Sequence, residues 1–462
     1  MTLRTARAIL VGALVALGAA GSLRAETLGD ALVSAYRNSN LLDQNRALLR
    51  AADEGVADAV SALRPVVDFV MRSSYVYNQQ RPNILNPSRI SEGISLSVGL
   101  SAQLTLYDGG AGKLGIAAAK EQVLATRQAL IGVEHQVLFG AVQAYMRLRL
   151  SEDIVALRQG NVRVLTRELE AAQDRFDLGE ITRTDVAIAE ARLAASRAQL
   201  SAAEGDVLVN RETYELAIGK RPGRLSNPPR PPVTAQSVDE AKRIARSQHF
   251  AIKQRQHELA AAELNLQRAA ARLGPRLVGE ATVGKNDLGL STNAVTLTLS
   301  QRLYQGGGLS SVYRAALARR DAARAALQQT VAEVEQSVGE AWAQRSVSRT
   351  SIEATDRQIV AARTAYDGVR EEAKLGARTT LDVLNAEQEL LDAQAQRLTA
   401  VTNEYIATYG LLAAMGYLTV DHLKLGIATY DVTSYYNAVK NAPATSAQGK
   451  RLDRVLEAIG KK

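Results

Sequence analysis

Residues 94–106, ISLSVGLSAQLTL, alternate without a break. Ile94, Leu96, Val98, Leu100, Ala102, Leu104 and Leu106 fall on one side, and Ser95, Ser97, Gly99, Ser101, Gln103 and Thr105 on the other. A period of two predicts a strand with one apolar and one small polar face. Residues 292–304, TNAVTLTLSQRLY, repeat the pattern, with Val295, Leu297, Leu299 and Leu303 opposite Thr296, Thr298 and Ser300. Partner strands over 66–77 and 277–286 alternate less cleanly. The first sets Val67, Phe69, Met71, Tyr75 and Tyr77 against Asp68, Arg72 and Ser74.

Elsewhere the apolar positions recur every seven residues. Ile116, Val123, Leu130, Val137 and Ala144 open one series, and Val186, Leu193, Leu200, Val207 and Tyr214 form another. So do Leu384, Leu391, Leu398, Tyr405 and Leu412. A strict seven-residue repeat specifies left-handed coiled coils. Stretches without proline predict a helix of about 67 residues over 111–177 and another over 309–374, each about 100 Å long. Shorter helices of about 36 residues are predicted over 27–62 and 237–272, stopped by Pro65 and Pro275, and again after the turns DLGEITRTDV and KLGARTTLDV.

The two sets are copies. A shift of 197 residues lays Leu106–Gly110 (LYDGG) on Leu303–Gly307 (LYQGG), Leu178 and Gly179 on Leu375 and Gly376, Asp185 on Asp382, Glu190 on Glu387, and Gly219 on Gly416. Upstream the shift becomes 210, which pairs Ala31 with Ala241 and Pro65 with Pro275. One register held over so long a stretch marks an internal duplication. Repeat 1 then covers 26–218, with its hairpin over 66–106 and a turn at 177–185. Repeat 2 covers 234–416, with its hairpin over 276–304 and a turn at 374–382. A proline-rich strap, 219–233, joins them, and 417–462 form an unmatched tail whose end is expected to be loosely ordered.

Composition narrows the setting. Arg4 and Arg7 precede an apolar run over 8–20, so residues 1–25 read as a secretory signal peptide. Removing them lowers the formal charge from +8 to +5, with both signs interleaved, which makes no case for nucleic acid. There is no cysteine, and His135, His249, His257 and His422 are scattered as if decorating helices. No metal site, cofactor site or catalytic constellation is expected. A glycine run lacking the lysine of a phosphate loop does not alter that.

Four strands of about ten alternating residues match the span of an outer-membrane barrel. Four strands cannot close by themselves, and lipid does not tolerate open edges, so the barrel has to be shared between chains. Two chains would give a filled interior, three a lumen. The reading from another class is a soluble periplasmic coiled-coil scaffold.

The paired LY-[DQ]-G-G motifs, the turns LGEITRTDV and LGARTTLDV, and the start ETLGDAL resemble the TolC family of outer-membrane channel proteins. The resemblance spans residues 26–430. It implies an α+β membrane protein: a homotrimer whose shared 12-stranded antiparallel β-barrel, set in outer-membrane lipid, continues into a 12-helix coiled-coil α-barrel. It implies a passive exit duct for type I protein secretion or drug efflux, recruited by a periplasmic adaptor (membrane fusion protein) and an inner-membrane ABC or RND transporter. It places a gate at Asp185 and Arg378, with Arg183 and Thr184 beside them, and an acidic ring at Asp382. Ala373 stands where the family has an aromatic gate residue, and Asn385 where a second acidic ring can occur. Leu178, Gly179, Leu375 and Gly376 become adaptor-docking tips. Tyr107, Gly109, Gly110, Tyr304, Gly306 and Gly307 become the hinge from barrel to tunnel.

Overall fold

The computed structural model describes residues 25–79, 90–232, 234–287, 289–442, 450 and 454. The elements of repeat 1 are α1 (Leu28–Asn38), α2 (Asn40–Ser61), β1 (Val66–Gln79), β2 (Ile90–Tyr107), α3 (Ala111–Asp177) and α4 (Arg183–Ile218). Repeat 2 follows with α5 (Val238–Gln248), α6 (Phe250–Ala271), β3 (Arg276–Asn286), β4 (Ser291–Ser300), α7 (Gly308–Lys374) and α8 (Thr380–Ala414); a short α9 (Ser434–Val439) comes last. Residues 1–24 of the expected signal peptide lie outside the described residues.

The two long helices are each 67 residues, as the absence of proline predicts. The shorter helices before the strands differ from expectation. Each is broken, at Ser39 and at His249, positions that correspond under the 210-residue shift. Neither break carries proline or glycine. Distant segments approach both breaks: Gly219 caps α4, and Gly416 lies two residues beyond α8, both with positive φ. A Cβ on Gly219 would stand 2.5 Å from Cβ of Asn38, and one on Gly416 would stand 2.9 Å from Cα of His249. The chain ends approach the breaks as closely as glycine allows.

The structure divides into two compact units. One holds residues up to Asp43, Val133–His249 and Val334–Thr429; the other holds Gln44–Gly132, Phe250–Glu333 and the residues from Tyr430. The core of the first is built on Leu28, Tyr145, Tyr214, Ile218, Leu411, Leu412, Met415 and Leu418. The Tyr145 hydroxyl lies 3.0 Å from the carbonyl of Glu26 and 2.7 Å from that of Ser226, which ties the segment before α1 to the proline-rich strap. His135 and His249 are also buried here, not spread on helix surfaces as expected. Burial holds each imidazole down to about 4, so both are neutral core side chains at pH 7.

The second unit contains all four strands, in one antiparallel sheet of order β1-β2-β3-β4. Register carries the apolar face across it. Phe69 faces Leu100, which faces Val283; Ala102 faces Ala281, which faces Val295; Leu277 faces Leu299. The other face holds Asp68, Ser101 and Thr282 in one row and Gln103, Glu280 and Thr296 in the next. Phe69, Leu100, Val283, Val295 and Leu297 are all exposed, so nothing among the described residues covers the apolar face. β4 ends at Ser300, short of the expected residue 304. Its last partner is Arg276, and Pro275 beyond has no N–H to extend the ladder.

After each hairpin the LY-GG motif turns strand into helix. Gly109, Gly110, Gly306 and Gly307 all have positive φ, which alanine would resist. The one difference between the motifs has a local role. Asp108 Oδ1 accepts from Gly110 N–H at 3.0 Å and Oδ2 from Gly112 N–H at 2.6 Å, while Gln305 accepts from Arg302 at 3.0 Å. Beyond α8, Val420 N–H donates to Glu134 at 2.7 Å within the first unit. In the second, Arg64 donates to the carbonyls of Asn441 and Ala442, and the Tyr435 hydroxyl lies 2.7 Å from Glu54. The segment is thus anchored as far as Ala442; the end expected to be loose lies almost wholly outside the described residues. Among the described residues, no helix is long and apolar enough to cross a membrane.

Candidate gate and docking tips

Each coiled-coil hairpin closes through the same turn. Gly179 N–H donates to Phe176 O and Glu180 N–H to Arg175 O, both at 2.9 Å; in the second hairpin Gly376 N–H donates to Ala373 O at 3.1 Å and Ala377 N–H to Glu372 O at 3.0 Å. The two glycines have φ of +77° and +74°. Bonds spanning three and five residues close a helix end in this way when its glycine is left-handed. The leucine before each glycine cannot reach the core. Leu178 is 76% exposed and Leu375 85%.

The next helices begin with matching caps. Thr182 donates through N–H and hydroxyl to Asp185 Oδ2 at 3.0 and 2.7 Å, and Asp185 N–H donates back to Thr182 Oγ1 at 3.3 Å. Thr379 and Asp382 repeat the box at 3.0, 2.8 and 3.2 Å. These hydrogen bonds hold both carboxyls below the usual aspartate range, so both stay ionised at neutral pH. Thr182 and Thr379 were legible as T-x-x-D ahead of an apolar run, the signature of a capping box.

Within the chain, Asp185 and Arg378 do not meet. Arg378 pairs with Glu372 at 2.8 Å, both half exposed. Arg183, Thr184 and Asn385 are exposed, and Ala373 is half-buried. Asn385 Oδ1 accepts from Arg192 at 2.8 Å, a bond that ties α8 to α4 across the repeats. Beneath it Leu165, Ala172, Ala189, Leu193 and Leu384 form the apolar layer on which both hairpins rest.

Glu387, one helical step further along α8, is 7% exposed, and no partner reaches its Oε2. Burial first, and then the neighbouring Glu168, raise it to about 7, against the pull of Arg370. A raised carboxyl contributes stability below the unfolded value and loses it as pH rises through 7. Glu387→Gln is therefore expected to raise the melting temperature at pH 8 and to leave it unchanged at pH 4.5. The gain corresponds to about 3 kcal/mol at most, and calorimetric scans at the two pH values measure it.

An amphipathic antiparallel sheet with a bare apolar face, joined to paired coiled-coil hairpins, defines a subunit of an outer-membrane channel. The model of the outer membrane efflux protein family matches residues 31–220 and again 243–417, one match for each repeat, and the chain belongs to this family, that of TolC. It is 34% identical to outer membrane efflux protein BepC of Brucella suis biovar 1, over 94% of this chain and 95% of that one. It is 25% identical to alkaline protease secretion protein AprF of Pseudomonas aeruginosa, over 63% of each chain. Among solved structures, the Campylobacter jejuni CmeC outer membrane channel superimposes with a TM-score of 0.74 at 16% identity, covering 91% of this chain and 90% of that one. The protein is an outer-membrane channel of the TolC class, which serves efflux or type I secretion in Gram-negative bacteria; it is not an enzyme, and the soluble scaffold is set aside. Channels of this family work with secretion and efflux systems.

Proposed function

We propose that three copies of this chain form one duct, gated at the hairpin tips and recruited through them by a periplasmic adaptor and an inner-membrane ABC or RND transporter. The observation that carries this reading is the sheet: among the described residues β1 and β4 each have one unpaired edge, while an apolar face lies bare between them. Lipid leaves no edge unpaired, so neighbouring copies supply the missing partners. Three copies give twelve strands and a lumen lined by the Ser, Thr and Gln face. The long helices then build the periplasmic tunnel, the LY-GG turns are its hinges to the barrel, and residues 1–25 are the export signal.

At the tips, the exposed Leu178 and Leu375 beside their glycines offer the adaptor matching apolar knobs. The gate operates between protomers, because inside one protomer Asp185 and Arg378 have only local partners. Arg378 is the cleaner probe of the two, since Asp185→Ala also removes half of a capping box. Arg378→Ser is expected to raise single-channel conductance in planar bilayers several-fold while unheated trimer migration stays unchanged. Wild-type conductance in both Arg378→Ser and Asp185→Ala would remove the gate assignment.

A further inference from the structure

Where the sheet meets the helices, a cleft of about 600 Å³ opens within the second unit. Four arginines line it: Arg268 and Arg272 from the end of α6, Arg276 at the start of β3, and Arg302 just after β4. The one carboxylate on its wall, Asp108, accepts from the amides of Gly110 and Gly112 and offsets one of the four positive charges, that of Arg268. Leu63, Leu273 and Leu309 supply an apolar floor. The volume falls within the range of small-molecule sites.

Two further observations separate this cluster from ordinary surface charge. Arg268 is only partly exposed, and its buried Nε has no partner. Gly115 makes room for it, since a Cβ there would lie 3.2 Å from the guanidinium carbon. The duplication supplies a control inside the same chain. The positions matching Arg268, Arg272, Arg276 and Arg302 in repeat 1 are Asp58, Ala62, Val66 and Thr105, none of them basic. Turning a strand into a helix, which both repeats do, therefore does not require these charges.

We propose that this cleft binds phosphate-bearing amphiphiles, with the arginines on the phosphate and the leucines against the apolar part. Guanidinium forks match phosphate oxygens two at a time, and a cluster of four suits an anion that carries more than one charge. Arg276 already reaches Thr105 Oγ1, at 3.0 Å, on the polar face of the sheet, so the cleft lies beside the face that lines the conduit. A ligand could reach it from the conduit or as a headgroup from the surrounding membrane. The chemistry is the same for both.

The test uses the intact assembly in neutral detergent, titrated calorimetrically with inorganic phosphate, dihexanoyl phosphatidic acid and dihexanoyl phosphatidylcholine. Saturable binding of the phosphatidic acid is expected, weakened by salt, with inorganic phosphate weaker and phosphatidylcholine silent. Arg272→Gln combined with Arg302→Gln should weaken it at least tenfold. Should that variant fail to assemble, the two lysine replacements keep the charge but lose the fork, and a clear loss of affinity is expected from them. No saturable binding to the wild type would overturn the proposal, as would equal binding by the glutamine or lysine variants or by phosphatidylcholine. Inorganic phosphate binding as tightly as the lipid would overturn the amphiphile. A repeat titration in nanodiscs containing long-chain phosphatidic acid identifies the source. Competition marks a membrane headgroup and its absence a solute of the conduit, and either result supports the site. If the arginines only brace neighbouring protomers, the variants lose assembly and the wild type binds no probe.

Discussion

Leu100→Arg is expected to abolish assembly in the outer membrane, and Ser101→Arg, one residue along, to leave it intact. Leu100 sits near the middle of β2 between Phe69 and Val283, on the face that nothing among the described residues covers. An arginine at mid-membrane on the lipid side of a barrel costs about 2–4 kcal/mol, and each protomer would carry one. Ser101 stands between Asp68 and Thr282 on the polar face, where a guanidinium gains a carboxylate neighbour and water. The readout is the fraction of unheated, slowly migrating oligomer in the outer-membrane fraction. A loss of tenfold or more is expected for Leu100→Arg, and none for Ser101→Arg. Equal tolerance of both would mean that the sheet does not sit in lipid with its apolar face outward, and the channel assembly proposed above would fall with it.

That test rests on the alternation of residues 94–106, which was legible in full because a strand's facing depends only on its own period. The long helices were legible for a similar reason: with no proline over 111–177 and a sustained heptad, nothing local ends them. Features set by distant contacts were not legible. At Ser39 a local signal was present, since its hydroxyl accepts from Leu42 N–H as a cap, but the break at His249, which Gly416 approaches from far along the chain, carries no local breaker. The end of β4 is set by Pro275 on its partner, not by its own sequence. His135 lies on a helix whose buried side depends on neighbours that periodicity does not name, and His249 falls at the break between two helices. At the tips the bonding within one chain is local. Thr182 and Thr379 announced capping boxes, whereas the family resemblance drew attention to pairing between protomers.

Gly416→Val is the other change expected to be severe, and glycines of the same conformation show why. At Gly376 φ is +74° and a Cβ would meet nothing within 4 Å, so valine there brings only the strain of a β-branched residue in a left-handed turn. That strain is roughly 1–2 kcal/mol. At Gly416 φ is +82°, and the Cβ would also press on backbone, at 2.9 Å from Cα of His249 and 3.4 Å from the carbonyl carbon of Gln248. Backbone on both sides cannot rotate away, and overpacking of this kind adds roughly 1–3 kcal/mol. Asparagine separates the two contributions, because it accepts positive φ yet still carries a Cβ. Gly376→Asn should therefore recover most of what Gly376→Val loses in melting temperature, whereas Gly416→Asn should recover little of what Gly416→Val loses. Recovery at both positions would show that φ alone matters at Gly416, and that the break at His249 is not held by contact with the end of α8.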